Sequence, residues 1–236
     1  MSDMMLRVEG MTADIGRIPV LRGVDLRVAP GETVALLGRN GVGKTSTLRA
    51  MLGLLRRTGG SVTYAGTDLT KVPAHKISSL GIGYVPQGRG IFPLLTVEEN
   101  LYLGLKRAPD TVLRDDVFAR FPRLKERLNQ AAGTLSGGEQ QMLAIGRCLL
   151  MNPKLIMLDE PTEGIMPKLV SQIRSEISEI AKRGIAVLLV EQNLRTALRL
   201  ADRVYLMERG TIVHEATPAA LKAAPETIQR YLGVSL

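Results

Sequence analysis

The chain has 236 residues, 45% of them hydrophobic and 23% charged, with a formal net charge of +8. That make-up fits an ordinary folded protein with a sizeable core, built as one large domain or as a core with an inserted subdomain; the longest apolar runs, such as Ile185 to Val190, are strand-length and exclude a membrane-crossing helix of ~20 residues. Met1 to Gly10 carries acids and no apolar h-region, so no secretory signal is expected; one cysteine, Cys148, excludes an internal disulfide framework and fits a reducing cytosol; 3% aromatics and no arginine-rich tail argue against nucleic acid as the partner of the basic charge.

Thr33 to Leu37 is an apolar run ending at a glycine, a buried strand. Lys44 to Leu55 places Leu48, Met51, Leu52 and Leu55 at helical spacing, and Gly59-Gly60 breaks the pattern. Ser61 to Tyr64 reads as a strand before a turn at Gly66, and Gly81 to Val85 as a strand stopped by Pro86. From Leu94 to Met151 leucines recur at helical spacing among mixed charges, so this middle is mostly helical. Leu155 to Leu158 is a buried strand, Leu169 to Lys182 an amphipathic helix, Ile185 to Val190 a strand and Leu194 to Leu200 a helix. Val204 to Met207 and Thr211 to Val213 are strands around a turn at Arg209-Gly210, and Pro218 to Leu232 is helical. Strands alternate with helices on both sides of the middle, which predicts an α/β core with a largely parallel sheet and a helical insertion.

Gly38-Arg39-Asn40-Gly41-Val42-Gly43-Lys44-Thr45 matches the phosphate-loop pattern G-x-x-x-x-G-K-[ST], with a strand before it and a helix after it. Glycines let the backbone wrap a phosphate, and successive N–H groups at the helix N-terminus face the anion. Lys44 then reaches the β- and γ-phosphates, and the Thr45 hydroxyl ligates Mg²⁺. Leu155-Ile156-Met157-Leu158-Asp159-Glu160 is an apolar strand ending in two carboxylates. Such a strand is expected beside the phosphate loop at the carboxyl edge of the sheet, where open α/β folds bind ligands. Asp159 there serves Mg²⁺, and Glu160 orients and polarises an attacking water.

Leu135-Ser136-Gly137-Gly138-Glu139-Gln140-Gln141 precedes the helical run Met142 to Leu150. Ser136 and Glu139 form an S-x-x-E capping box. Two adjacent glycines are poor residues for a first helical turn, and make sense where something approaches the backbone closely. This segment, together with the phosphate loop and the acidic strand, resembles the signature of the ABC ATPase family, over nearly the whole chain. The resemblance implies a P-loop NTPase core of the RecA-like kind, an α/β fold whose mostly parallel sheet carries antiparallel strands. It implies a single domain, 1–236, with core 1–87 and 152–236 and a helical subdomain at about 88–151.

It also implies that the chain binds and hydrolyses ATP with Mg²⁺. Nucleotide contacts fall to Gly38, Arg39, Asn40, Gly41, Val42, Gly43, Lys44, Thr45 and Ser46. In a head-to-tail dimer, Leu135, Ser136, Gly137, Gly138 and Glu139 face the nucleotide of a second ATPase subunit. Gln87, after Val85-Pro86, matches the family's Q-loop glutamine, and Pro161 to Pro167 lies where the D-loop contacts the partner. Thr45, Gln87 and Asp159 are the implied metal residues; Glu160, Gln192 and Gln87 are the implied catalytic ones.

Two positions depart from the family. Gln192 stands where most relatives carry a histidine; it can hydrogen-bond a phosphate but cannot carry a proton or charge. Ile15 stands where relatives often stack a tyrosine on adenine, which leaves apolar packing without an offset-stacked ring. The stretches PQGRGIFPLLTVEENL, DEPTEGIMP and LVEQN resemble branched-chain amino acid uptake ATPases and their urea or short-chain amide relatives, with Glu163-Gly164-Ile165 leaning to the latter. That group implies a homodimer or a heterodimer with a sister ATPase, two membrane permeases and, indirectly, a periplasmic binding protein, at the cytoplasmic face of the membrane. The permease contact is expected near Gln87 to Glu99, with Ile91, Phe92, Leu94 and Leu95. A DNA-repair or translation protein of the same family is disfavoured, because Lys44 and Ser136 are under a hundred residues apart with no sustained heptads.

Overall fold

The computed structural model describes residues 4–105 and 107–234. The chain opens with two long strands, β1 (Leu6–Ile15) and β2 (Ile18–Val28), joined at Gly16-Arg17 with Ile15 opposite Ile18. Then come β3 (Thr33–Leu37), α1 (Lys44–Met51), β4 (Arg57–Tyr64), β5 (Thr67–Asp68), α2 (Ala74–Ile77) and β6 (Ile82–Val85). The middle holds α3 (Val97–Tyr102), α4 (Thr111–Arg120), α5 (Pro122–Glu126) and α6 (Gly137–Leu149). The chain continues through β7 (Leu155–Asp159), α7 (Pro167–Lys182), β8 (Ala186–Glu191) and α8 (Leu194–Leu200), and ends in β9 (Arg203–Glu208), β10 (Thr211–Ala216), α9 (Pro218–Lys222) and α10 (Pro225–Leu232).

Two sheets result. The larger has the order β10-β9-β3-β8-β7-β6, parallel except for the β9–β10 hairpin. β3, β7 and β8 are buried at every residue, as expected of parallel strands covered on both faces. Their side chains alternate between layers. Leu36, Met157, Leu188 and Val190 join α1 and the inner face of the second sheet, whereas Ile156, Leu158, Val187 and Leu189 meet α6 and α7. The second sheet, β2-β1-β4-β5, is antiparallel throughout.

The structure corrects several expectations. β1 and β2 are absent from the sequence reading, because bulges between Val8 and Met11 and at Ala13 interrupt their alternation. Gly59-Gly60 lies inside β4 rather than ending a segment. A side chain on Gly60 would sit 2.5 Å from the backbone of Gly10, so glycine here permits strand contact. α1 stops at Met51, not Leu55: Gly53 turns at φ 68°, and Arg57 caps the carbonyls of Ala50 and Met51 at 2.7 and 3.2 Å. Pro225 divides the C-terminal helical stretch in two.

Capping boxes start α3 (Thr96 with Glu99) and α6 (Ser136 with Glu139). The backbone leading into the two helices is laced together. Val97 and Glu98 donate to Gln130 and Leu128 at 2.9 and 3.0 Å, and Ala132 and Gly133 donate to Leu95 and Pro93, both at 2.9 Å. Asn100, fully buried, holds the preceding loop: its Oδ1 accepts from Phe92 N–H at 2.8 Å, and its Nδ2 donates to the carbonyls of Phe92 and Thr96 at 2.9 Å. On that loop Phe92 is 48% and Leu94 94% exposed.

Candidate functional site

The carboxyl ends of β3, β7 and β8 open on one edge of the sheet, around a cleft of about 490 Å³. Asn40, Gly41, Gly43, Lys44, Thr45, Ser46, Gln87, Glu160, Gln192 and Ile15 line it, joined by Val20 and Glu163. Gly38, Arg39 and Val42 do not. Gly38 is bare for packing, since a side chain there would lie 2.6 Å from the Met207 carbonyl. Gly43 sits at φ 112° and begins α1, so the loop turns into the helix with its N–H groups free to meet an anion.

Lys44 is buried. Its Nζ donates to the carbonyls of Gly38 and Arg39 at 3.0 and 3.1 Å and lies 3.4 Å from Glu160 Oε1. The other oxygen of Glu160 accepts from Gln192 Nε2 at 2.5 Å and from Gln87 Nε2 at 3.3 Å; Gln87 also donates to Glu163 at 2.8 Å. Glu160 stands at φ 50°, a region costly for a non-glycine residue and common at functional sites. Although β8 separates β7 from β3, the loop and α1 bring Thr45 over the sheet edge. Its hydroxyl donates to Asp159 Oδ1 at 3.0 Å, and the Tyr84 hydroxyl donates to Oδ2 at 3.4 Å. Burial pushes the Asp159 carboxyl above its ordinary value, opposed by the Thr45 hydrogen bond and reinforced by the Glu160 charge. Burial and the Asp159 charge likewise raise Tyr84.

Behind the cleft lies Glu191, 2% exposed. It accepts from the Thr162 hydroxyl at 2.6 Å and from the N–H groups of Gln192 and Asn193, both at 3.1 Å. Burial raises its carboxyl above the ordinary value, against the pull of those bonds. It thus fixes the backbone on either side of Gln192 and ties it to the loop after Glu160.

Leu135 to Glu139 lie apart from the cleft. Leu135 is buried in the helical core, and Glu139 completes the cap while accepting from Arg127 at 3.4 Å. The two glycines are crowded by side chains of this same chain. A Cβ on Gly138 would meet Leu169 Cδ1 at 2.3 Å, and one on Gly137 would meet Arg89 Nη2 at 2.9 Å. Sequence reasoning missed Val20, Tyr84, Arg89 and Glu191 and gave Thr162 and Glu163 as part of the partner-contact segment Pro161 to Pro167, not of the cleft. Glu163, in the acidic segment three positions after Glu160, had a local signal; the others are joined only by the fold.

A phosphate loop at the edge of a parallel sheet, a hydroxyl–carboxylate pair and a second carboxylate held by lysine and two amides define a nucleotide-binding P-loop protein. The chain belongs to the ABC transporter family, whose model matches residues 21–163; it is an ATP-binding transporter subunit and an ATPase, of a family whose ATPase domains work as dimers with membrane permease components. It is 45% identical over 232 residues to the high-affinity branched-chain amino acid transport ATP-binding protein BraG of Pseudomonas aeruginosa, covering 97% of this chain and 100% of that protein. It is 35% identical to the lipopolysaccharide export system ATP-binding protein LptB of Haemophilus influenzae, over 97% of each. Its structure matches the ADP conformation of the ATP-binding cassette MJ1267 with a TM-score of 0.83 and 28% identity, over 98% of this chain and 99% of that one. It also matches the dimeric, ADP- and Pi-bound cassette MJ0796 with a TM-score of 0.81 and 25% identity, over 91% and 99%. Among the described residues no helix is long and apolar enough to cross a membrane.

Proposed function

We propose that this chain powers an importer of branched-chain amino acids, hydrolysing ATP at the cytoplasmic face of the membrane in a dimer bound to two permeases. The observation that carries the reading is the end-to-end likeness to BraG at 45% identity. Urea or a short-chain amide is the second solute class, supported by Glu163-Gly164-Ile165. The sister ATPase is a second copy or a related chain, and a periplasmic binding protein delivers the solute.

Gly41, Gly43 and the start of α1 cradle the phosphates, while Lys44 exchanges its carbonyl contacts for phosphate oxygens. Ile15 and Val20 offer the base an apolar wall. Thr45 and Asp159 fit Mg²⁺: a hydroxyl and a carboxylate oxygen, hard donors of the kind it takes, meet 3.0 Å apart with Gln87 nearby. When bound, the ion neutralises charge on the phosphates. Glu160 orients the attacking water and accepts its proton, with Gln87 and Gln192 fixing its carboxylate. The placement of Leu135 to Glu139 away from this chain's own cleft supports their use on the partner's nucleotide. We assign 88–151 as a helical subdomain that moves against the core, 1–87 and 152–236, with Phe92 and Leu94 meeting the permease.

A pull-down of the tagged chain from detergent-solubilised membranes tests this. Co-purified permeases and leucine-stimulated ATPase activity in the reconstituted complex are expected. Ribosomes or repair factors in place of permeases would overturn the transport reading, and urea stimulation would move the solute.

A further inference from the structure

The residues after Gln87 take three successive left-handed conformations: Gly88 at φ 76°, Arg89 at 72° and Gly90 at 58°. Glycine enters that region freely, whereas arginine there is strained. The guanidinium this backbone projects reaches the start of α6. Its Nη1 donates to Gln140 Oε1 at 2.8 Å, and its Nη2 lies over Gly137, 2.9 Å from where a Cβ would stand. Gln140 in turn donates to the Leu135 carbonyl at 3.1 Å. Arg147, from the far half of α6, donates to the Gly90 carbonyl at 2.8 Å. A cation at a helix N-terminus is disfavoured by the backbone dipole, so specific bonds must hold it there. Two residues earlier, Gln87 donates to Glu160 and Glu163. One short loop therefore touches the carboxylates of the nucleotide cleft at one end and the signature at the other.

We propose that Arg89 is a positioning residue that couples this chain's own nucleotide cleft to the signature it presents to the partner's nucleotide. The inference rests on the roles proposed above for Gln87 and for Leu135 to Glu139. When Gln87 changes partners, Gly88 passes the displacement to Arg89, and Arg89 carries Gly137 and Gln140 with it. Lysine cannot substitute fully, because a point charge lacks the fork that engages Gln140 while covering Gly137.

The test uses the ATPase complex purified through a tag on this chain, with mant-ATP binding and thermal unfolding of the isolated chain alongside. Arg89→Ala and Arg89→Gly both remove the guanidinium, and glycine also relieves the backbone. Both variants should keep mant-ATP affinity within about twofold while kcat falls about tenfold, the lower end of what a hydrogen bond to a charged group carries; the unfolding midpoint should fall by a few degrees in Arg89→Ala and less in Arg89→Gly, where the relieved backbone offsets the lost bond. Arg89→Lys should recover part of kcat. Gln140→Ala should also lower kcat, and the double variant Arg89→Ala with Gln140→Ala should fall no further than Arg89→Ala alone. Undiminished kcat, additive losses, a matching loss of mant-ATP affinity, or a kcat lowered in Arg89→Ala and Arg89→Gly only where the chain has unfolded at the assay temperature would each overturn the coupling. Glu160→Gln in the same complex separates the two readings. If it is silent, the catalytic assignment fails; if it is inactive while Arg89→Ala is unimpaired, only the coupling fails.

Discussion

Replacing Glu191 tests whether a buried carboxylate behind the cleft organises it. The side chain is 2% exposed and accepts from one hydroxyl and two backbone N–H groups. In Glu191→Ala both N–H groups lose their acceptor; at about 1–3 kcal/mol each, with water entering the adjoining cavity to soften the loss, the cost is about 3 kcal/mol. For a chain of this size that lowers Tm by roughly 6–12 °C. In Glu191→Gln the amide oxygen still serves the two N–H groups, and its NH₂ faces the Thr162 hydroxyl, which can accept; the cost stays within about 1 kcal/mol. The two variants also differ with pH. Burial raises the folded carboxyl above its unfolded value, so the folded state holds the proton more tightly. That contribution is full below the unfolded value and is lost as pH rises through the folded one. Urea denaturation from pH 4 to pH 8 should therefore show Glu191→Gln gaining on the wild type as pH rises. A constant difference between the two across that range, or an alanine variant as stable as the glutamine one, would refute the reasoning.

Gly83→Ala would place a Cβ 2.2 Å from Cys148 Sγ, so overpacking should cost about 1–3 kcal/mol, and Cys148→Ala in the same chain should restore part of it in urea melts. Cys148, buried and pushed up to about 12, should react with a disulfide reagent only when the protein is unfolded. Asn100→Ala removes the clamp on the Phe92–Thr96 loop; it should lower stability by about 3 kcal/mol and open that loop to proteolysis. With Ile15 in place of a ring, ATP should be preferred over GTP by less than about tenfold in competitive binding, and Ile15→Tyr should tighten mant-ATP by about two- to tenfold.

The phosphate loop and acidic strand were legible because each packs its chemistry into a few consecutive residues flanked by apolar strands. Their meeting at the carboxyl edge was expected, and the route was not: Thr45 reaches Asp159 across an interposed strand, which only the sheet order shows. Gln87 and Glu163 touch across a separation that no local pattern records. The glycines of the signature were readable as a place of close approach, but not that Arg89 and Leu169 of the same chain make that approach. Gly59-Gly60 misled for a related reason, since glycine marks a break and a tight strand crossing alike. The two N-terminal strands stayed hidden because bulges shift their pleat, and pairing between β1, β2 and β4 settles their register.

The lacing between the approaches to α3 and α6 has a mechanical consequence. Each helix start is fixed by its own reciprocal cap, and four backbone bonds join the segments that lead into them. Backbone bonds stretch little, so exposed Phe92 and Leu94 and the cap at Ser136 belong to one stiff body. Whatever displaces one of them carries the other with it, so the exposed loop and the start of α6 share one frame rather than being strung together by flexible chain.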